Sequence, residues 1–269
     1  MTITVAIAGL GAIGMRVARA LDTGEIPSMR LAAVAAGNRE RAVDRVAGFA
    51  APPRVADAGE LAQHADIVIE VAPKSIFVPL AQSVIEAGKV FMPLSCGALL
   101  DHMELVDRAK ETGARIIVPT GALLGLDTVR AMAVGEVHSV TLQTRKPPRG
   151  LAGAPHLEAN GIDVLSFTEA QKVFEGNALE AARGFPANVN VAAALSLAGI
   201  GPERTMVEVW ADPGIDRNMQ SVKISSDSGD AEMTIRNIPS EENPRTGKIT
   251  ALSVIACLQR MTATLSAGS

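Results

Sequence analysis

Tyrosine is absent from this chain of 269 residues, tryptophan occurs once, and aromatic residues make up 3% of it. Platforms for stacking single-stranded nucleic acid are built from such rings, which argues against that class of partner. The core has to be filled by Ala, Val, Leu, Ile and Met. Cysteine is scarce as well. Cys96 and Cys257 stand far apart in apolar settings, so they give neither a disulfide framework nor a metal-ligand cluster, and no metal site is expected. A reducing compartment fits best. An excess of one charge is also missing: 25 Lys and Arg against 29 Asp and Glu leave a net charge of −4 and a pI near 5.6. Such a balance offers no general attraction to phosphate polymers or anionic lipid. The N-terminal MTITVAIAGLG has no basic stretch before its apolar run, and that run is short and broken by glycine. It reads as neither a signal peptide nor a membrane span, and a cytoplasmic protein is expected.

What is present is 48% apolar residues, enough for one large core or two smaller ones, and a change of rhythm near residue 120 favours two. Ile3 to Ala8 is an apolar run of strand length. Ala12 to Leu21 then places Ile13, Val17 and Leu21 on one helical stripe. Leu31 to Ala35 reads as the next strand, with Asn38 able to cap the helix that follows. DIVIEVA (Asp66 to Ala72) reads as a strand buried on both faces, Ile76 to Ala87 as an amphipathic helix, and VFMPLS (Val90 to Ser95) as a strand. Asp101 to Glu111 is helical, and ARIIVPTG returns to strand. Parallel strands need crossover connections, so this alternation predicts an α/β domain with a doubly wound parallel sheet over 1–120.

After Gly121 strands are expected at Val137 to Arg145, Ala170 to Phe174, Met206 to Ala211, Val222 to Ser226 and Glu232 to Ile238. Helices are expected around Ala178 to Arg183 and Val189 to Leu197. This predicts a second, α+β domain over 121–248 on a largely antiparallel sheet. A last amphipathic helix, from Ile249 to Met261, is expected to return to the first domain. RKPPRGLAGAP (Arg145 to Pro155) has the length and composition of a functional or mobile loop, while PSEENPRTGK is a polar loop with no necessary role.

Gly9, Gly11 and Gly14 form GxGxxG between a strand and a helix, the context in which that motif binds a dinucleotide. Gly9 permits the tight turn, Gly11 lets the backbone approach a pyrophosphate, and Gly14 allows helix and strand to pack closely. The helix start at Ala12 and Ile13 supplies N–H groups and partial positive charge. An NAD-selective site places an acidic residue at the end of the second strand, but here the sequence is Ala35-Ala36-Gly37-Asn38-Arg39. With no carboxylate to repel a 2′-phosphate, and with Asn38 and Arg39 able to contact it, NADP is the expected preference and NAD stays open. Ala72, Ser95 and Gly97 close later strands and are expected near the cofactor, where small side chains and free N–H groups admit a ribose or nicotinamide. Cys96 reads as a buried small hydrophobe.

Taken in order, GLGAIG, SCGALLD, PTGALLGLD, TRKPP, VFEGNALEAARGFPANVNVAAALSLAGIG, ADPGIDRNMQSV and NPRTG resemble the L-aspartate dehydrogenase family over nearly the full chain. The resemblance implies a Rossmann domain binding NAD(P), an α/β catalytic domain and a homodimer. It further implies interconversion of L-aspartate with iminoaspartate, or with oxaloacetate plus ammonia, on a route into NAD biosynthesis. Ala122 and Asn190 match cofactor-contacting positions of that family; Asn188 and Asn190 also lie where a helix starts and can serve as caps. The family motif runs Asp-Pro to Asn-x-His, with the histidine as acid/base, whereas this chain reads Asp212-Pro213 through Asn218-Met219-Gln220. An amide can orient substrate or water but cannot exchange a proton near neutral pH, and positioned proton transfer contributes about 100- to 10,000-fold.

His64, His102 and His138 read as structural or solvated. His156, in GAPHLE, is the candidate substitute, because a loop can close over a site. Arg145 and Lys146 can supply cationic partners for a dicarboxylate or can equally be surface charges. Two other readings are a nucleotide-binding sensor that has lost efficient catalysis and a dehydrogenase acting on another amine, imine or aldehyde.

Overall fold

The computed structural model describes residues 2–186, 189–243 and 246–268. The chain divides into two compact units, one of residues 1–119 with 250–266 and the other of residues 120–249 with 267–269.

In the first unit β1 (Ile3–Ala8), β2 (Met29–Ala35), β3 (Arg54–Val55), β4 (Ile67–Glu70), β5 (Val90–Pro93) and β6 (Arg115–Ile116) form a sheet of order β3-β2-β1-β4-β5-β6, parallel at every pairing. The helices α1 (Ala12–Asp22), α2 (Arg39–Val46), α3 (Phe77–Glu86), α4 (Cys96–Leu100) and α5 (Glu104–Thr112) lie between strands or after them. Strands covered on both faces read as continuous apolar runs, which is why β1 and β4 are legible; all four residues of β4, Glu70 among them, are buried. α1 turns Met15, Val17, Ala18 and Leu21 into a cluster with Val5, Ile7, Leu31 and Val34. Val254, Ile255 and Leu258 of the C-terminal helix (Lys248–Thr262) complete that cluster. The helix is tied down by Gln259 Nε2 donating to the Glu25 carbonyl at 2.8 Å.

A carboxylate clips β1 to β4. Asp66 Oδ2 accepts from the Thr4 hydroxyl at 2.6 Å and the Thr4 N–H at 3.0 Å, and Lys89 Nζ reaches Oδ1 at 3.1 Å. The Thr4 hydrogen bonds first, and then the Lys89 ammonium, hold the Asp66 carboxyl down at about 2. A depressed carboxylate stabilises the fold above its unfolded pKa and stops doing so as pH falls through its folded one. Asp66→Asn is therefore expected to cost about 1 kcal/mol at neutral pH, the clip being half exposed. It should also flatten the loss of melting temperature between about pH 4 and pH 2; equal acid limbs for the two proteins would rule the clip out.

In the second unit β7 (Val137–Lys146), β8 (Gln171–Asn177), β9 (Thr205–Ala211), β10 (Met219–Ser226) and β11 (Gly229–Arg236) form a sheet of order β11-β10-β7-β9-β8. β7 and β9 are parallel and the other pairs antiparallel. The helices of this unit are α6 (Leu126–Met132), α7 (Pro155–Ala159), α8 (Ala178–Gly184) and α9 (Asn190–Ala198). α8 starts on a capping box, in which the Asn177 side chain accepts from the Glu180 N–H while the Glu180 carboxylate accepts from the Asn177 N–H. The sheet alternates with the period of two expected of a strand. Val140, Leu142, Val207, Val209, Val222 and Ile224 point into a core with Ala178, Ala181, Phe185, Ala192 and Leu195 of α8, α9 and the turn after α8. The other face carries Gln143, Glu208 and Trp210, joined by hydrogen bonds of 2.9 and 3.0 Å to the Glu208 carboxylate.

Candidate functional site

The first unit holds a cavity of about 640 Å³ beyond the carboxyl ends of β1, β2 and β4, lined among others by Gly9, Gly11, Asn38, Arg41, Arg45 and Ala72. Three backbone positions build its floor. Gly9 has φ +104°, in the left-handed region, and a Cβ there would meet the Val71 carbonyl oxygen at 2.4 Å. A Cβ on Gly14 would lie 1.9 Å from the Gly9 carbonyl oxygen, whereas one on Gly11 would meet nothing within 4 Å. Two glycines are thus consumed by close packing of turn on strand and helix on turn, and the third faces open space where a ligand can approach the backbone. Gly11 is also the N-cap of α1, so the free N–H groups of the first turn, Ala12 and Ile13 among them, stand beside that space. These residues fit a dinucleotide diphosphate.

Glu70, at the end of β4, is wholly buried. Its carboxylate accepts from the Ala72 N–H at 2.9 Å, the Ser95 N–H at 3.0 Å and the Ser95 hydroxyl at 2.9 Å. Burial pushes its carboxyl above the ordinary value, with the three donors pulling the other way. Glu70 thereby fixes the two segments that follow β4 and β5, and a lone acid inside the apolar run DIVIEVA was its signal in the sequence. Gly97 is buried in α4. Cys96 beside it is a core residue whose thiol burial pushes up to about 12, the wrong direction for a nucleophile.

At the end of the cavity beyond β2, Asn38 caps α2, its side chain accepting from the Arg41 N–H at 2.8 Å. The Arg39 guanidinium turns to the Val55 carbonyl at 2.8 Å and to Asp57 at 3.4 Å. Arg41 and Arg45 line the cavity with Asp57, and Arg45 Nη1 donates to the Leu10 carbonyl. The spacing Asn38, Arg41, Arg45 is one helical face, a signal available in the sequence but overshadowed by the adjacent Arg39.

In the second unit Gln220 is 3% exposed on β10, opposite Thr144 of β7. Lys146, two residues beyond Thr144, shares its face and is 8% exposed. Asn237, two residues past Ile235 of β11, is 5% exposed and donates from Nδ2 to the Ala122 carbonyl at 3.0 Å. Among the described residues, Gln220 Oε1 and Asn237 Oδ1 are the buried side-chain atoms left without a hydrogen-bond partner. Ala122, Lys146 and Gln220 are therefore gathered around one end of the covered sheet face, with Thr144 and Asn237, which sequence reading missed. Burial brings the Lys146 ammonium down to about 8.

Arg145 is on the other face, paired with Asp212 at 3.0 Å and stacked over Trp210 at 5.0 Å from the ring centre. His156 lies in the short α7, its ring packed against Phe174 and Phe185 at centroid distances of 5.1 and 5.5 Å. Asn190 is the exposed first residue of α9, with Val189 as N-cap. Asn188, and part of the polar loop around residue 245, lie outside the described residues.

Residues 127–261 match the family model for the aspartate dehydrogenase C-terminal domain, and residues 9–119 match the homoserine dehydrogenase NAD-binding domain. The chain is 51% identical to an L-aspartate dehydrogenase of Bradyrhizobium diazoefficiens, over 98% of this chain and 94% of that one. It is 48% identical to L-aspartate dehydrogenase 3 of Bordetella bronchiseptica, over 98% and 97%. Its fold is shared with the crystal structure of aspartate dehydrogenase from Thermotoga maritima, at a TM-score of 0.78 and 24% identity with full coverage of both chains. With half the chain under the C-terminal model and nearly all of it aligned to these relatives, the protein belongs to the aspartate dehydrogenase family.

Proposed function

We propose that this chain is an NAD(P)-dependent L-aspartate dehydrogenase, converting L-aspartate to iminoaspartate and thence to oxaloacetate and ammonia, or running in reverse. The observation that carries the reading is the near-full-length identity to L-aspartate dehydrogenases, which spans both units; the glycine floor of the first unit supports it. Gly9, Gly11 and Gly14 seat the diphosphate against the N–H groups of Ala12 and Ile13. Asn38 and Arg41 meet the adenosine ribose, Ala72, Ser95 and Gly97 flank the second ribose, and Ala122 and Asn190 serve the nicotinamide end. A bound oxidised nicotinamide would supply the acceptor for the hydride of the substrate α-carbon. Gln220 orients the substrate or the water that then attacks the imine. The chain works as a cytoplasmic homodimer.

NADP is the preferred cofactor, because no acid closes β2 and two arginines line the cavity there. Purified protein with L-aspartate should reduce NADP, and NADPH should bind about tenfold tighter than NADH, about 1.4 kcal/mol. Arg41→Ala should erase most of that difference. No turnover with either nucleotide in either direction would reject the reading, and it would favour a nucleotide-binding sensor, for which Gln220 is the supporting observation.

A further inference from the structure

Four polar side chains share the end of a sheet face that is otherwise apolar: Thr144 and Lys146 on β7, Gln220 on β10 and Asn237 after β11, each at most 8% exposed. Register fixes the arrangement. Gln220 is opposite Thr144 and Ile235, and the Asn237 N–H donates to the Asn218 carbonyl at 2.9 Å, one step further along. Neighbouring strands lie ~4.8 Å apart, so the side chains of β7, β10 and β11 rise from a patch about 10 Å wide. Two acceptors there, Gln220 Oε1 and Asn237 Oδ1, have no partner among the described residues. Buried acceptors left unmade are costly in a native protein and call for a donor brought by something else. Two amide oxygens on the same end of a sheet face as an amine able to titrate match a primary ammonium, which has three N–H bonds to give.

Resting on the dehydrogenase reading, we propose that Lys146 is the acid–base residue for the substrate amine, with Gln220 and Asn237 holding the other two N–H bonds. Neutral Nζ takes one proton from the substrate ammonium, breaking N–H and forming Nζ–H. The nitrogen lone pair then forms the C=N bond as hydride leaves the α-carbon for oxidised nicotinamide. Lys146 releases its proton to solvent, takes one from the water that adds to the imine carbon, and returns it to nitrogen; the C–N bond then breaks, ammonia leaves, and the new C=O forms as the carbinolamine hydroxyl gives its proton to solvent. A lysine near its own pKa at working pH can give and take protons, and a glutamine cannot. Charged groups that adjoin it along the chain and across the sheet are engaged elsewhere or exposed. Arg145 and Asp212 are paired on the opposite face, and Arg149 in the next turn is exposed.

The test is kinetic, with nucleotide binding as a control. In the parent protein kcat/KM for L-aspartate should rise with pH through a limb near 8. Lys146→Met should lower kcat about 100-fold or more, abolish the limb, and leave NADPH affinity within about threefold. Lys146→Arg, which keeps the charge but cannot lose it, should fail equally. Gln220→His should recover at least about tenfold of kcat in the Lys146→Met background. A parent profile flat from pH 7 to 9, or a Lys146→Met or Lys146→Arg protein with near-parental kcat and limb, would overturn the assignment. If the parent protein itself turns over no L-aspartate, the dehydrogenase reading fails first and this one with it.

Discussion

Gly9→Ala should abolish saturable binding of both NADPH and NADH, raising Kd at least about 100-fold, or about 2.7 kcal/mol. Two costs combine. At φ +104° the new residue is strained, by about 1–2 kcal/mol for a left-handed L-residue, and its methyl group lands 2.4 Å from the Val71 carbonyl oxygen. That oxygen belongs to the segment Glu70 holds in place, so the turn has to move instead, and it carries the first N–H groups of α1 with it. Gly11→Ala is the informative companion. Its Cβ meets no protein atom within 4 Å, so this protein should melt with the parent yet bind nucleotide about tenfold more weakly. Calorimetric titration and thermal melts separate the two. Parental affinity in Gly9→Ala, or a destabilised Gly11→Ala, would mean that the glycines only shape the turn.

Glu70→Ala should destabilise the protein by about 3–5 kcal/mol, because it strands donors built around a buried carboxylate. The Ala72 N–H, the Ser95 N–H and the Ser95 hydroxyl all aim at that one group. With no atom left to accept them, the segments after β4 and β5 are released, so nucleotide affinity should fall in the same protein. Glu70→Gln keeps one acceptor oxygen and should cost less than half as much. The charge itself helps little: a carboxyl whose pKa is raised by burial favours the fold most when protonated, and that contribution fades as pH rises. The deficit should therefore persist at pH 5. Urea melts at pH 5 and pH 7 measure it, and a loss below about 1 kcal/mol at both would show that water replaces the carboxylate.

Most of the architecture was legible in the chain because its strands announce their burial. Runs covered on two faces, such as IVIE, read as apolar blocks, and β7, β9 and β10 alternate with the core on one side. What escaped were elements too short to show a period: the two residues of β3 and the single-turn α4 and α7. The glycine turn was readable because strand and helix flank it. Single side chains were harder. Arg39 stands next to the cap and draws the eye, yet its first-turn direction takes it to Val55 and Asp57 while Arg41 lines the cavity. Arg145 and Lys146 are neighbours in sequence, but a strand sends adjacent side chains to opposite faces. His156 could be read as available to a site, but the two phenyl rings packed on it come from β8 and the turn after α8, which no local pattern reveals.

Because the helix closing the first unit's core follows residues 120–249 in the chain, that core cannot be completed while those residues are still being made. Val254, Ile255 and Leu258 arrive after residues 120–249 of the second unit have been made, and side chains of this kind contribute about 1.5–3 kcal/mol each when buried. Until then the nascent nucleotide-binding half displays a bare apolar strip and is exposed to chaperones and self-association. A shortened version for biophysics must graft that helix back through a linker, since simply stopping at Pro119 leaves the strip uncovered.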